Sequence, residues 1–204
     1  MRSRQEIIER AAPVFNVHGY AGTSMQMVMD ATGYQKGGIY RHFDSKNALA
    51  QAAFDYNFEQ LKASYLLELH AGSNAPERLM KLLTNFLHFV ANPKLKGGCP
   101  ILNMAPEVDD TMPDLRNQVS KALEEITGIV ENIIEVGQKE GSFRSELEAK
   151  SEANFIISLV EGSIMMAKLQ RDRHLIPDNC LRLQQYIQQF IFHPAHSTQK
   201  PQML

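Results

Sequence analysis

The segment between Thr23 and Lys46 concentrates side chains that could bind a polyanion and read its bases. Gln35, Lys36 and Arg41 carry one amide and two cationic groups. In the major groove of DNA, glutamine pairs with adenine, whereas lysine and arginine pair with guanine. We therefore expect these three residues to contact base edges. The residues expected to fix the register on phosphates are Thr23, Tyr40, His42 and Lys46, and those expected to let the main chain approach closely are Gly37 and Gly38.

Two short helices joined at Gly33 would position these groups. Thr23 and Ser24 offer an N-cap for the first helix, and Gly33 can adopt the left-handed conformation that ends it. The second helix is predicted over residues 36–43. The apolar side chains expected to pack this pair against the preceding helix are Val28, Ile39 and Phe43, with Val14 and Phe15 on that helix. The pattern predicts a helix-turn-helix at about residues 24–43, whose second helix can enter a major groove.

The rest of the chain has helical periodicity. Asp44 and Ser45 are expected to cap a long helix over residues 46–69, and a heptad-like apolar stripe predicts another from Leu115 to Val136. Residues 92–106, with their glycine pair and prolines, are expected to be irregular. We predict an all-α fold of about nine helices, with a three-helix domain at residues 1–50, a larger helical domain at residues 51–192 joined to it by the linking helix, and a disordered tail at residues 193–204.

Charge is unevenly distributed along the 204 residues. The whole chain has a formal net charge of −2, which excludes a uniformly basic nucleic-acid coat, but residues 1–50 hold six Lys/Arg against four Asp/Glu. Two cysteines exclude a disulfide framework and a multi-cysteine zinc site. There is no apolar run of signal-peptide or membrane-spanning length, so we expect a soluble, cytoplasmic protein without membrane contact.

Residues 5–55 resemble the DNA-binding domain of the TetR family of repressors. The resemblance rests on Thr23-Ser24-Met25, on Lys36-Gly37-Gly38-Ile39-Tyr40-Arg41-His42-Phe43 and on Ser45-Lys46 with Leu49. Residues 97–103, followed by Glu107 and an Asp pair, resemble a segment of one subgroup. Two positions depart from the common pattern, because Met29 replaces a small alanine and Gln35 replaces a Ser/Thr cap. The resemblance implies a homodimer, a double-stranded operator with two-fold symmetry, and a C-terminal pocket whose small-molecule effector releases DNA.

In the larger domain the aromatic and methionine side chains suggest a lining for a modest apolar ligand. The pocket candidates are Tyr65, Phe86, His88, Phe89, Cys99, Leu102, Asn103, Met104, Ile126, Phe155, Met165 and Met166. The bland alternative is that these residues only form the core. The last two helices are expected to build a two-fold four-helix bundle. The dimer candidates are Ile156, Val160, Ser163, Ile164, Ala167, Tyr186, Ile187 and Phe190, and the alternative is packing within one chain.

Other functions remain open at this stage. Cys99 with His88 could form a nucleophile and base, but no cofactor fingerprint accompanies them, so we expect no enzyme and no cofactor. Cys99 could instead be a redox or electrophile sensor that changes DNA binding. A third alternative is a ligand-binding bundle whose DNA motif has decayed. His193 and His196 have metal-ligand spacing but no partners nearby in sequence, and we expect no metal.

Overall fold

The computed structural model describes residues 3–69, 74–91, 95–172 and 174–193. Within these ranges the chain forms nine α-helices and a terminal π-helical turn, and its only β feature is an isolated antiparallel bridge between Phe143 and Phe192. This confirms the all-α prediction. The helices are α1 Arg4–Gly22, α2 Met25–Thr32, α3 Lys36–Tyr40, α4 Lys46–Leu69, α5 Ala75–Ala91, α6 Pro100–Val108, α7 Pro113–Lys139, α8 Ala149–Gln170 and α9 Leu175–Tyr186, followed by the π-helical turn Ile187–Ile191.

The helices group into two compact units. The first comprises Met1–Ala63 and Pro93–Glu124, and the second comprises Ser64–Asn92 and Glu125–Leu204. Helix α6 and the first part of α7 therefore belong with the N-terminal helices, an association that periodicity does not predict. A functional boundary at residue 50 stays a prediction.

The core of the first unit forms around the helix-turn-helix. Val28, Ile39 and Phe43 are buried in one apolar cluster with Phe15 of α1, as expected, while Val14 is only half-buried. Burying a side chain of this size is worth about 1.5–3 kcal/mol, so the cluster fixes α2 and α3 against α1.

Local signals set most of the helix ends. The Ser24 hydroxyl accepts a hydrogen bond from the Met27 amide, and Gly33 ends α2 in the left-handed conformation at φ 72°. Ser45 caps α4 by accepting from the Ala48 amide. Helix α1 does not stop at Gly19: it continues to Gly22 across a kink in which Gly19 has φ 70°.

Two predicted boundaries are wrong. Helix α3 ends at Tyr40 and not at residue 43, because Arg41 and His42 form a turn that delivers Phe43 to the core. The segment at residues 92–106 is not irregular throughout, since α6 begins at Pro100. Proline suits this first helical position because its missing N–H would have no intrahelical partner there. The predicted tail lies outside the described residues from residue 194 onward.

Candidate nucleic-acid interface

The outer face of α3 carries the predicted base-reading residues. Gln35, Lys36 and Arg41 are all exposed, as are Gly37 and His42, whereas Ile39 between them is buried. Gln35 occupies the N-cap position, but its side chain makes no capping hydrogen bond. Its carboxamide therefore keeps both donor and acceptor capacity on the surface. The structure brings these residues together on one exposed edge.

Aromatic rings support two cations near this edge. The Lys36 Nζ lies 6.0 Å from the centroid of the exposed Tyr40 ring, and the Arg4 guanidinium lies 4.7 Å from the centroid of Phe43. Cation–π contacts at exposed sites are worth about 0.5–1 kcal/mol, enough to bias side-chain position. Sequence reasoning counted Arg4 only as part of the N-terminal charge excess. The contact places its charge beside the end of the α3 turn.

Gly37 and Gly38 differ in their surroundings. A Cβ added to Gly37 would meet no heavy atom within 4 Å, whereas one added to Gly38 would lie 3.2 Å from the Tyr34 ring. Packing within the chain therefore gives a reason for Gly38 but none for Gly37. A glycine in a helix costs about 0.5–1 kcal/mol relative to alanine, so Gly37 is better explained by a close approach from outside the chain.

Thr23 is not available as a phosphate anchor. Its side chain is buried, and its hydroxyl donates a 2.6 Å hydrogen bond to the Gly19 carbonyl oxygen. The threonine therefore stabilises the connection from α1 to α2. Nothing in the sequence indicated this hydrogen bond, which Thr23 makes with the residue at the kink of α1.

Lys46 is also engaged within the chain. Its Nζ donates a 2.6 Å hydrogen bond to the Tyr20 carbonyl oxygen and lies 4.2 Å from the centroid of the Tyr20 ring. Burial lowers the pKa of this amine, and the nearby Glu107 charge opposes that shift. Lys46 links the start of α4 to the end of α1 through this hydrogen bond. The arrangement favours a role in stabilising the fold over a direct phosphate contact.

On α8 the structure reverses two sequence interpretations. The predicted pocket residues Phe155, Met165 and Met166 are exposed on the outer face of the helix together with Leu159 and Leu169. Four of the predicted dimer residues point the other way and are buried within the second unit: Ile156, Val160, Ile164 and Ala167. Ser163 is also buried but borders the outer face. The reason is that α8 is apolar around most of its circumference, so periodicity alone does not distinguish the core side from the outer side.

The outer face of α8 continues onto α9 and the π-helical turn. Phe155, Tyr186 and Phe190 form a chain of tilted rings with centroid separations of 5.0 and 5.2 Å, and Phe190 is exposed, whereas Ile187 is buried. The Tyr186 hydroxyl donates to Glu152 at 2.8 Å, and burial together with this carboxylate raises the pKa of Tyr186 to about 12.

An open groove of about 390 Å³ runs along this face. We call the exposed surface that contains it the α8–α9 face. The lining residues are Phe155, Ser158, Leu159, Gly162, Ser163, Met166, Asn179, Arg182, Leu183 and Tyr186.

The other pocket candidates are divided between the two compact units. Cys99, Leu102, Asn103 and Met104 belong to the first compact unit, whereas Tyr65 and Ile126 are buried in the second. The Cys99 thiol is buried, which does not favour a solvent-facing nucleophile or sensor. The side chains of Phe86, His88 and Phe89 lie outside the described residues, so their predicted roles stay predictions.

Asn103 has a structural task that the sequence did not reveal. Its Nδ2 donates to the carbonyl oxygens of Asn16 and Gly97 at 3.0 and 2.8 Å, and Asn16 in turn donates to Lys96 and Gly98. Because the Asn103 side-chain amide already donates these hydrogen bonds within the chain, it is poorly placed to orient a ligand. No local signal could have revealed the bonds that involve Asn16, because they join residues 80 to 87 positions apart.

Two features are absent from the described parts of the chain. No helix in these parts is long and apolar enough to cross a membrane. Among the same residues, no three or more His, Cys, Asp or Glu side chains cluster so that they could hold a metal ion.

Two family models match the chain. Residues 7–53 match the model described as bacterial regulatory proteins, tetR family, and residues 75–179 match the tetracyclin repressor-like C-terminal domain. A curated relative, the HTH-type transcriptional repressor DhaR of Mycobacterium sp. (strain GP1), is 28% identical over 83% of this chain and 84% of its own length.

Solved structures agree with these matches. A TetR transcriptional regulator from Chloroflexus aurantiacus is 38% identical, with a TM-score of 0.88 over 93% of this chain and 96% of that one. A TetR-family regulator from Cytophaga hutchinsonii is 34% identical, with a TM-score of 0.84 over 92% and 94% of the two chains. These relatives are regulators of transcription and not enzymes.

Proposed function

Since this chain belongs to the TetR family of DNA-binding transcriptional regulators, we propose that it is a repressor that binds a palindromic operator as a homodimer and is released by a small apolar effector. The observation that carries the proposal is the exposed edge of α3. Gln35, Lys36 and Arg41 face outward there, while Ile39 and Phe43 hold the same turn in the core.

The exposed edge suits direct readout of bases. Arginine and lysine can each contact guanine O6 and N7, and the free Gln35 carboxamide can pair with adenine. Tyr40 and His42 are exposed on the same segment and are proposed to contact phosphates. Gly37 leaves room for the backbone of α3 to approach the groove. Because these residues are all present and exposed, a ligand-binding bundle that has lost its DNA-binding motif is disfavoured.

The α8–α9 face supports the homodimer. It combines exposed large apolar side chains with a groove, and Leu169 leaves 81% of its surface uncovered in the single chain. Contiguous exposed apolar surface of this kind marks interaction sites, and a two-fold operation would bring α8 and α9 of two copies into a four-helix bundle. The interface residues we now propose are Phe155, Leu159, Gly162, Met166 and Leu169 of α8, with Tyr186 and Phe190.

Similarity to known repressors supports the proposed repression and effector release. The relative DhaR is named a repressor, and the second family model covers a tetracyclin repressor-like C-terminal domain. In the repressing state the two recognition helices would stand about 34–36 Å apart, one turn of the duplex. An effector can shift this state only by the difference between its affinities for the two states. We propose α4, which runs from one compact unit into the other, as the connecting lever.

A selection from random-sequence duplex DNA tests the function. The purified chain should enrich an inverted repeat whose half-site centres lie about 10 base pairs apart. Arg41→Ala should weaken binding to that duplex by 10-fold or more, since a bidentate contact to a base contributes about 1–3 kcal/mol of discrimination. The matched control is Arg116→Ala, an exposed arginine on α7. Failure to enrich any duplex, or equal affinity of both variants, would contradict the proposal.

Effector release has its own test. Small apolar compounds that raise the melting temperature of the chain should be added to the complex with the selected duplex. An effector of the proposed kind lowers operator affinity by about 5–150-fold, the usual range of allosteric coupling. Compounds that stabilise the protein but leave operator affinity unchanged would count against release as the mechanism.

A further inference from the structure

The last turn of α1 is held by side chains that come from three directions. The Thr23 hydroxyl donates to the Gly19 carbonyl oxygen, and Lys46 Nζ donates to the carbonyl oxygen of Tyr20. The third contact comes from α6, where Glu107 Oε2 accepts a 2.7 Å hydrogen bond from the Ala21 N–H. Residues 19–21 therefore connect the entrance of α2, the start of α4 and the end of α6 within the first compact unit.

Glu107 approaches α1 more closely than a side chain at Gly19 would permit. A Cβ added to Gly19 would lie 1.7 Å from Glu107 Oε1, and the φ of 70° at Gly19 also disfavours other residues. The kink in α1 and the position of the carboxylate are therefore mutually dependent. The hydrogen bond satisfies a backbone amide at a point where the helix geometry is interrupted.

A second contact joins the start of α6 to α1. Asn16 is buried, and its Nδ2 donates to the carbonyl oxygens of Lys96 and Gly98 at 2.7 and 2.9 Å, while Asn103 Nδ2 donates back to the Asn16 carbonyl oxygen. The turn at Gly97 is held tightly, because a Cβ there would lie 2.6 Å from the Asn16 carbonyl oxygen. We call the contacts of Asn16, Asn103 and Glu107 the α1–α6 clamp.

We propose that Asn103 and Glu107 are positioning residues for DNA recognition. They hold the end of α1, and through it α2 and α3, in the arrangement that binds the operator. The inference rests on the proposed function and deepens it, since it names the contacts through which the fold controls the recognition helix.

The charge of Glu107 distinguishes the clamp from simple electrostatics, because the two predict opposite changes in DNA affinity when the side chain is removed. Removing a carboxylate near a DNA-binding domain reduces repulsion of phosphates, so electrostatics alone predicts that Glu107→Ala binds DNA more tightly. The clamp predicts the opposite, because the Ala21 amide loses its acceptor and the end of α1 is released. Glu107→Gln should retain binding, because its amide oxygen can still accept from Ala21.

The experiment measures affinity for a duplex selected by the wild-type chain, at several salt concentrations. Glu107→Ala should bind the duplex at least 10-fold more weakly, with an unchanged dependence of affinity on salt concentration. The affinity of Glu107→Gln should stay within 3-fold of wild type. Hydrogen exchange at the Ala21 amide should accelerate only in Glu107→Ala. Asp110→Ala, which removes an exposed carboxylate just beyond α6, controls for charge and should not weaken binding.

Wild-type-like or tighter binding by Glu107→Ala, or an equal loss in Glu107→Gln, would overturn the clamp while leaving the proposed function intact. Failure of the wild-type chain to bind any duplex would overturn the proposed function, and the clamp with it. Asn103→Ala provides the second variant: it should also weaken binding, and wild-type affinity in a folded Asn103→Ala dimer would overturn the role of Asn103.

Discussion

Phe155 and Ile156 are neighbours in sequence but lie on opposite sides of α8: Phe155 leaves 44% of its surface exposed and Ile156 leaves 0%. This pair fixes which side of the helix faces the protein's own core. The side bearing Ile156 packs within the chain, and the side bearing Phe155 and Leu159 is exposed in the single chain. The proposed dimer therefore uses the outer residues, one position away from those that apolar spacing favoured.

Leu159→Glu should prevent dimerisation. The change places a charge on the α8–α9 face, and burying that charge in the dimer would cost the free energy of its hydration. We expect a monomer by sedimentation equilibrium at concentrations where the wild-type chain is a dimer. Leu123→Glu is the matched control, because Leu123 on α7 has the same 40% exposure as Leu159, and it should remain dimeric. A dimeric Leu159→Glu variant would place the interface elsewhere.

Gly37→Ala should separate stability from DNA binding. Because a Cβ at Gly37 meets no atom of the chain, the variant should be as stable as wild type or more stable by up to about 1 kcal/mol. Its operator affinity should nevertheless fall by 10-fold or more if the backbone of α3 approaches DNA closely. Thermal unfolding and a duplex titration provide the two readouts. Gly128→Ala on α7, where a Cβ is equally unobstructed, should leave affinity unchanged; equal behaviour of the two variants would remove Gly37 from the interface.

Gly137→Ala should destabilise the second unit. A Cβ at Gly137 would lie 2.3 Å from the Phe143 ring, which is itself stacked on Phe192 with centroids 5.2 Å apart. Overpacking of this kind costs about 1–3 kcal/mol. Urea unfolding monitored by circular dichroism measures the difference from Gly128→Ala in the same helix. A Gly137→Ala variant as stable as Gly128→Ala would show that the ring moves freely.

Both cysteines should be unreactive in the folded protein. Burial raises the pKa of Cys180 to about 11, so at pH 8 only about one thiol in a thousand is ionised there, and the Cys99 thiol is also buried. The raised pKa means that the folded chain favours the protonated Cys180 thiol. The stability that this preference contributes is present at pH values below the pKa of the thiol in the unfolded chain, and it is lost as pH rises through about 11. A chromogenic disulfide reagent should count no fast thiols until the protein unfolds. One fast thiol that disappears in Cys99→Ser would revive the sensor alternative.

Signals that act over a few residues predicted much of the fold. Gly33 ends α2 as expected, Ser24 and Ser45 cap their helices, and the spacing of Val28, Ile39 and Phe43 predicted their burial. These features depend on local backbone conformation and helical periodicity, which are indicated directly by residue types and their spacing.

Features that depend on distant residues escaped prediction. Thr23 donates to the carbonyl oxygen of the residue at the kink of α1, and Lys46 binds a carbonyl oxygen 26 positions away. The Asn16–Asn103 bonds span 87 positions. The exposure of Gln35 and Arg41, by contrast, required only the helical spacing of a short segment, which is why it was easier to predict than the burial of Thr23 or the contacts of Lys46.

Protection of guanine N7 from dimethyl sulfate on the selected duplex tests the central claim most directly, because N7 lies in the major groove. The account predicts two protected patches related by two-fold symmetry and about one helical turn apart, both lost in Arg41→Ala. A single patch, or a wild-type complex that leaves every N7 reactive, would contradict entry of two α3 helices into successive major grooves.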